Sequence, residues 1–409
     1  MHPAASGLRS GGAHRHPLRS ATFRHLAAAY TINELGNWVG DVALAILVFD
    51  RTGSALATAA LFLALRFVPA LLAPLLTARL VVANPTRILP AIHLAEGLIF
   101  AAIAWIAARF SLPAVLALAA VDGLLAITAK ALTRGSTAAL LLADDQLRQG
   151  NAILNLGFTA GGAVGPALAG LLIAALGPSS ALLVDAATFI CVAVILATAR
   201  DLRLDSHPGA GSVGRLRAGL SEAWSRRGVR WLLAAQALAL VFFSVVVPIE
   251  VVYAKDTLHA GDSGYGALLA AWGVGMVLGS VAYATAARCR LLLVLGLSTA
   301  LIGAGYAGLA LAPGLGLACA FSALGGLGNG AQWIAVVTAV QQMVSAGAQS
   351  SVIAVLESIN QIMPAVGFLL GGALVALGSP RDAYAVAAGG VLVVLLAAYT
   401  ATLGGRQRT

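Results

Sequence analysis

Apolar stretches of about twenty residues follow one another along almost the whole chain between Leu26 and Leu403. An α-helix needs about 18–20 apolar residues to cross the hydrocarbon core of a bilayer, where no water satisfies exposed backbone amides. The composition agrees, because 60% of the residues are hydrophobic and only 10% are charged, whereas soluble domains are about 25% charged. The chain is therefore predicted to be an all-α integral membrane protein.

Turn-forming pairs such as Asn84-Pro85, Gly177-Pro178 and Ser379-Pro380 separate these stretches and divide the chain into twelve predicted spans, numbered 1 to 12. The first six are expected at 26–49, 55–78, 88–108, 112–134, 152–176 and 179–198. The second six are expected at 230–254, 264–287, 291–311, 315–337, 350–377 and 381–403. The predicted layout is a disordered N-terminus at 1–25, a six-helix bundle at 26–198, a linker at 199–229, a second bundle at 230–404 and a tail at 405–409.

The two predicted bundles share a short motif. Ala163-Val164-Gly165 with Gly170 in span 5 recurs 202 residues later as Ala365-Val366-Gly367 with Gly372 in span 11. Together with the six-plus-six layout, the match favours two parallel repeats related by an axis along the membrane normal.

Basic residues predict the orientation of the chain. All but five of the 25 lysines and arginines fall at the termini, in the linker or in loops on one side of the membrane, which predicts that both termini are cytoplasmic. Arg51, Arg109, Lys255 and Arg381 fall on the other side, and Arg66 lies inside span 2. Because the positive charge is spread over every inner loop, it favours contact with anionic lipid over nucleic acid.

A polar face is expected on span 1, where Asn33, Glu34, Asn37, Trp38 and Asp41 are spaced by three, four and seven residues. A stripe of this kind cannot face lipid, so we expect it to line a cavity between the halves. The alternative is a structural seam that closes against a neighbouring helix. Glu34 and Asp41 are the leading candidates for binding protons or cations, since carboxylates in a membrane are costly and usually functional.

Arg66 is predicted at nearly the same depth as Asp41, which suggests an ion pair that responds to protonation; the alternative is a static pair. Asp122, near the middle of span 4, is a third candidate for proton binding. Among the other membrane-embedded acids, Glu96 is expected to bond locally to His93, and Glu250 is expected near the outer interface.

Further polar and aromatic residues are candidates for lining the cavity, although helix packing is the alternative for each. They are Asn329, Gln332 and Trp333 in span 10, and Glu357 and Asn360 in span 11.

Small residues recur in span 5 at Gly161, Gly165 and Gly170, and Pro166 interrupts the backbone hydrogen bonds. Small residues at this spacing permit close approach of helices, and proline bends a helix. We predict a helix-packing site here.

Three segments carry a resemblance to a known superfamily: Gly40-Asp41 with Thr52-Gly53-Ser54-Ala55-Leu56, Gln149-Gly150-Asn151-Ala152 leading into Gly161-Gly162-Ala163-Val164-Gly165-Pro166, and Asp185-Ala186-Ala187-Thr188-Phe189. Through them the whole chain resembles the major facilitator superfamily, and within it the bacterial exporter branch of enterobactin exporters and macrolide-efflux proteins. The resemblance implies two six-helix pseudo-repeats in the bacterial inner (plasma) membrane, and usually proton-coupled export of small amphipathic molecules. The glycines and Pro166 of span 5 resemble the antiporter signature of drug-exporting facilitators.

The loop between spans 2 and 3 departs from the superfamily pattern. Facilitators usually carry Gly-x-x-x-Asp-Arg-x-Gly-Arg there, whereas the stretch from Thr77 to Arg87 has no aspartate. Gln349-Ser350-Ser351, at the start of span 11, also lacks the arginine that engages this loop in the branch. We expect hydrogen bonds to replace this charge latch, or transport to be weak or altered.

The sequence predicts no enzyme, metal site or cofactor, since it lacks a phosphate-binding loop, zinc-spaced ligands and a serine nucleophile elbow. The expected partners are a small-molecule substrate, protons and the bilayer, with no nucleic acid, and the protein is expected to be a monomer. A narrow-specificity siderophore or metabolite exporter is one alternative, and a non-transporting scaffold or sensor is another. A polar cavity that reaches Asp41 favours transport, whereas a sealed apolar core favours the scaffold.

Overall fold

The computed structural model describes residues 16–80, 85–141, 146–199, 202, 212–285, 290–344 and 346–406. Within these ranges all regular structure is helical, and twelve helices are long and apolar enough to cross a membrane. The fold class predicted from the sequence is therefore confirmed.

Spans 1 to 6 are formed by Ala21–Thr52; Ala55–Phe62 continuing through a π-helical turn at Leu63–Phe67 into Val68–Leu80; Pro85–Ile106 with a 3₁₀ turn at Ala107–Arg109; Leu112–Leu141; Leu147–Leu176; and Pro178–Thr198. Span 7 is Arg227–Val245, followed by a 3₁₀ turn at Val247–Ile249, a helical turn at Glu250–Val252 and a π-helical turn at Tyr253–Thr257. Spans 8 to 12 are Gly261–Thr285, Leu291–Leu311, Leu315–Met343, Ala346–Leu377 and Pro380–Arg406.

The ends of several helices differ from the prediction. Span 4 continues to Leu141 instead of ending at 134, because a helix that has left the hydrocarbon core tolerates charged residues. The predicted linker contains a further helix, Ser212–Ser225. Residues 16–25 were predicted to be disordered and are ordered, since the Ser20 hydroxyl accepts a hydrogen bond from the Phe23 amide and caps span 1. Residues 1–15 of the predicted disordered N-terminus lie outside the described residues, as do 407–409 of the tail.

The two ends of the helices pack differently. We call the side on which the described chain begins and ends the terminal side, and the opposite side the distal side. On the distal side, one apolar core joins residues of both sets of spans, including Leu61 with Tyr253 and Tyr265. On the terminal side the clusters are separate: one contains Leu89 of span 3 and another contains Val340 of span 10. The structure is therefore closed on the distal side.

Lys255, at the distal end of span 7, joins both sets of spans. Its Nζ is paired with the carboxylate of Asp50 at the end of span 1, and lies 2.5 Å from Oδ1 of Asp262 at the start of span 8. The Lys255–Asp50 pair is an electrostatic link between the first six and the last six spans, on the side where they are closed.

Replacing this lysine is expected to favour a state that is open on the distal side. Ion pairs at partly exposed positions contribute about 1 kcal/mol or less, so Lys255→Met is expected to shift the population roughly fivefold at most. The measurement is the reaction rate of a maleimide with a cysteine introduced at Ala55, which is buried in the distal core. If the labelling rate of the Lys255→Met protein equals that of a protein with the same cysteine and the native Lys255, the Lys255–Asp50 pair does not stabilise the closed distal side.

Candidate transport cavity

A cavity runs between the two sets of spans and consists of two adjoining chambers. The terminal chamber has a volume of about 480 Å³ and is lined by polar residues that include Asn33, Glu34 and Asn37. The deep chamber has a volume of about 290 Å³ and is lined mainly by apolar and aromatic side chains. The predicted polar face of span 1 thus lines a cavity that reaches Asp41, which was the sequence-based criterion for transport.

Five residues line both chambers and form what we call the neck between them. They are Trp38, Asp41, Arg66, Phe158 and Phe243. Phe243 belongs to span 7 and the other four belong to spans 1, 2 and 5, so both sets of spans contribute to the neck.

The predicted ion pair between Asp41 and Arg66 is present in the neck. The Arg66 side chain is 51% exposed and that of Asp41 is 20% exposed, so the pair faces the cavity. Arg66 lies in the π-helical turn of span 2, and such turns often mark functional positions. Gly123 of span 4 packs directly against this turn, since a Cβ at Gly123 would lie 2.2 Å from the carbonyl oxygen of Leu65.

Glu34 has a different partner from Asp41. Its Oε1 lies 3.0 Å from Nζ of Lys130 in span 4, and the Glu34 side chain is almost fully buried. The same ammonium group lies 4.8 Å from the ring centre of Phe158 in the neck, within the range of a cation–π interaction. Both acids of span 1 are therefore neutralised by a base from the first six spans, and their roles in proton or cation binding stay predictions.

Other carboxyl groups lie within the first six spans. His93 Nδ1 is 2.6 Å from Glu96 Oε2, as predicted for a local hydrogen bond. Asp185 Oδ1 accepts a hydrogen bond of 3.0 Å from the Thr188 hydroxyl. Three buried carboxyl oxygens have no hydrogen-bond partner among the described residues: Glu96 Oε1, Asp122 Oδ1 and Asp185 Oδ2. Asp122 is outside the lining of both chambers, so a proton path to it stays a hypothesis.

The small residues of span 5 pack as predicted, on two faces. One face packs against span 1, because a Cβ at Gly161 would lie 3.1 Å from the carbonyl carbon of Glu34, and one at Gly165 would lie 2.5 Å from the Cβ of Trp38. The other face packs against span 8: Pro166 O and Gly170 Cα both lie within 3.2 Å of the Cβ position of Gly266. The motif therefore packs closely against span 1, which carries the polar face, and against span 8, which belongs to the other set of spans.

The remaining candidates divide into two groups. Asn329 lines the deep chamber and Asn360 lines the terminal chamber. Gln332, Trp333 and Glu357 are described residues, but the structure does not place any of the three in the lining of either chamber. Gln332 contacts span 9, where its Nε2 donates to Thr299 Oγ1 over 2.8 Å, and Trp333 is 39% exposed. Glu357 is exposed on span 11.

The charge latch expected at the ends of spans 2 and 11 lies outside the described residues, because the side chains of 77–84 and 345–351 are not described.

Sequence reasoning missed Glu250. It was expected near the outer interface, but it lines the deep chamber. Helical turns continue beyond Glu250 for about two turns, as far as Thr257, so Glu250 lies deeper than predicted. The signal was Pro248, the middle residue of the 3₁₀ turn that interrupts the helix immediately before Glu250.

Twelve spans around a midplane cavity, closed on one side, define a membrane transporter of the major facilitator type. A profile of the family described as "Transmembrane secretion effector" matches residues 13–354. The chain belongs to this family.

Solved transporter structures share the fold. The nucleoside transporter NupG is 12% identical, with a TM-score of 0.74 over 93% of this chain and 99% of that chain. A bacterial homologue of the iron transporter ferroportin in an inward-facing state is 15% identical, with a TM-score of 0.68 over 95% and 99%. A bacterial homologue of the human lysosomal transporter Spinster, also inward-facing, is 15% identical, with a TM-score of 0.67 over 96% and 98%. No curated protein matches the chain significantly.

Proposed function

We propose that the protein is a proton-coupled exporter of small amphipathic molecules that works by alternating access. Two bundles, 26–198 and 230–404, would rock about the cavity, and the protein would act as a monomer in the bacterial inner membrane. The distribution of basic residues supports cytoplasmic termini. With this orientation the terminal chamber opens to the cytoplasm, and the described state is ready to load substrate.

The Asp41–Arg66 pair in the neck is the observation that carries the proposal. Both groups are accessible from the cavity, so a proton can reach Asp41 and a substrate can contact both side chains. A proton on Asp41 removes the negative charge that holds the Arg66 guanidinium, and the pair weakens. Because the neck contains side chains from both bundles, a change in this pair alters how the bundles meet. Glu34, paired with Lys130, and Asp122 are the next candidates for carrying protons.

Proteoliposomes with a trapped pH-sensitive dye test this proposal. With an acidic interior, added ethidium is expected to enter in exchange for protons, and the internal pH should rise faster than in protein-free liposomes. Ethidium uptake that proceeds equally fast after nigericin has abolished the pH gradient would contradict proton coupling.

A further inference from the structure

The deep chamber contains a carboxylate that transport by Asp41 and Arg66 does not use. Glu250 lines this chamber, and no hydrogen bond or ion pair of its side chain occurs among the described residues. A carboxylate in apolar surroundings is costly unless a cation or a proton neutralises it.

The charges around this chamber do not balance. Asp41, Arg66 and Glu250 are its only described charged lining residues. Because Asp41 and Arg66 form an ion pair with each other, an ionised Glu250 carboxylate has no counterion among the described lining residues. A ligand with a single positive charge would neutralise the chamber.

The other walls of the chamber suit the apolar part of such a ligand. Phe243, Trp272 and Tyr306 form a contiguous aromatic group: ring centres of Phe243 and Trp272 are 5.7 Å apart, and the rings of Trp272 and Tyr306 are stacked at 5.7 Å. All three line the same chamber as Glu250. Aromatic faces attract organic cations, and quaternary ammonium groups are recognised in this way.

We propose that the deep chamber binds an organic monocation with aromatic or other apolar substituents, with Glu250 as its counterion and the Phe243–Trp272–Tyr306 group as its apolar wall. The inference deepens the proposed function by naming the substrate class, and it rests on the same cavity. Glu250 is then a specificity-determining residue that selects ligands by charge.

Binding to purified protein in nanodiscs tests the proposal without requiring transport. Tetraphenylphosphonium and tetraphenylborate have the same shape and opposite charges, and equilibrium dialysis against protein-free nanodiscs gives the specific binding of each. The native protein is expected to prefer the phosphonium. Glu250→Gln keeps the size of the side chain and removes its charge, so phosphonium affinity should fall about tenfold or more, whereas borate affinity should not fall.

Glu357→Gln is the matched control, because Glu357 is a second acid of the last six spans but lies outside both chambers. It is expected to bind the phosphonium like the native protein, and thermal unfolding would establish that both variants are folded. Equal phosphonium affinity in folded Glu250→Gln and native protein would overturn the inference, as would an equal loss in both variants. Phosphonium binding through Glu250 in a protein that moves no protons would refute the proposed coupling and leave this site intact.

Discussion

Asp41→Asn is expected to reduce transport driven by a pH gradient about tenfold or more, a loss of roughly 1.4 kcal/mol in coupling. Asparagine has nearly the same shape as aspartate, but it neither takes up a proton nor carries the charge that pairs with Arg66. Exchange of labelled for unlabelled substrate without a gradient needs no proton movement, and it is expected to be retained. The two rates are measured in the same proteoliposomes, so a folding defect would lower both.

A matched control removes a different carboxylate from an ion pair. Glu222 Oε1 lies 2.5 Å from Arg226 Nε at the end of the linker helix, outside both chambers. Glu222→Gln should leave both rates unchanged.

The double variant Asp41→Asn with Arg66→Gln removes the unpaired guanidinium and should unfold at a higher temperature than Asp41→Asn alone, without regaining coupling. Gradient-driven transport at the native rate in Asp41→Asn would rule out Asp41 as the coupling site.

Gly273→Leu is expected to disrupt the contact between spans 5 and 8. A Cβ at this position would lie 2.4 Å from the carbonyl oxygen of Gly162 and 2.7 Å from the Cα of Ala163. Both are backbone atoms that cannot rotate away, so the helices must separate. Forcing a larger side chain into a packed site costs about 1–3 kcal/mol, and a loss of this size corresponds to a fall in transport of roughly five- to 150-fold.

Gly296→Leu distinguishes this clash from a general effect of replacing glycine. Gly296 also lies within a helix, in span 9, but a Cβ there has no neighbour within 4 Å. Since leucine is a better helix former than glycine, this variant should be as stable as the native protein, or more stable. Thermal unfolding in detergent and substrate exchange in liposomes give the two readouts. Equal stability and transport in the two leucine variants would contradict a role for the close contact.

The sequence predicted the architecture well, because each span is long and apolar and its boundaries carry recognisable turn residues. Span 9, for example, was predicted at 291–311 and is Leu291–Leu311. The polar face of span 1 was equally legible, because its spacing defines one side of a single helix. In both cases the information lies within one continuous segment.

Contacts between segments were harder to predict. The Asp41–Arg66 pair could be predicted from the similar depth of the two residues in the membrane. The partner of Glu34 could not be predicted in this way, because it is Lys130 of span 4. The depth of Glu250 was predicted wrongly because a 3₁₀ turn and a π-helical turn on either side of it lengthen span 7. The contact of Gln332 with Thr299 depended on how spans 9 and 10 pack against each other, which an apolar sequence does not reveal.

The neck has a consequence for how substrate range can change. A molecule that moves from the terminal chamber to the deep chamber passes Trp38, Asp41, Arg66, Phe158 and Phe243. The largest molecule admitted is therefore limited by the same side chains that are proposed to sense the proton. A substitution that widens this passage also disturbs the environment of the Asp41–Arg66 pair. A variant that accepts larger substrates would therefore also let more protons cross without moving substrate. Changes at residues of the deep chamber outside the neck, such as Trp272, carry no such penalty, and selection for new substrates should act there first.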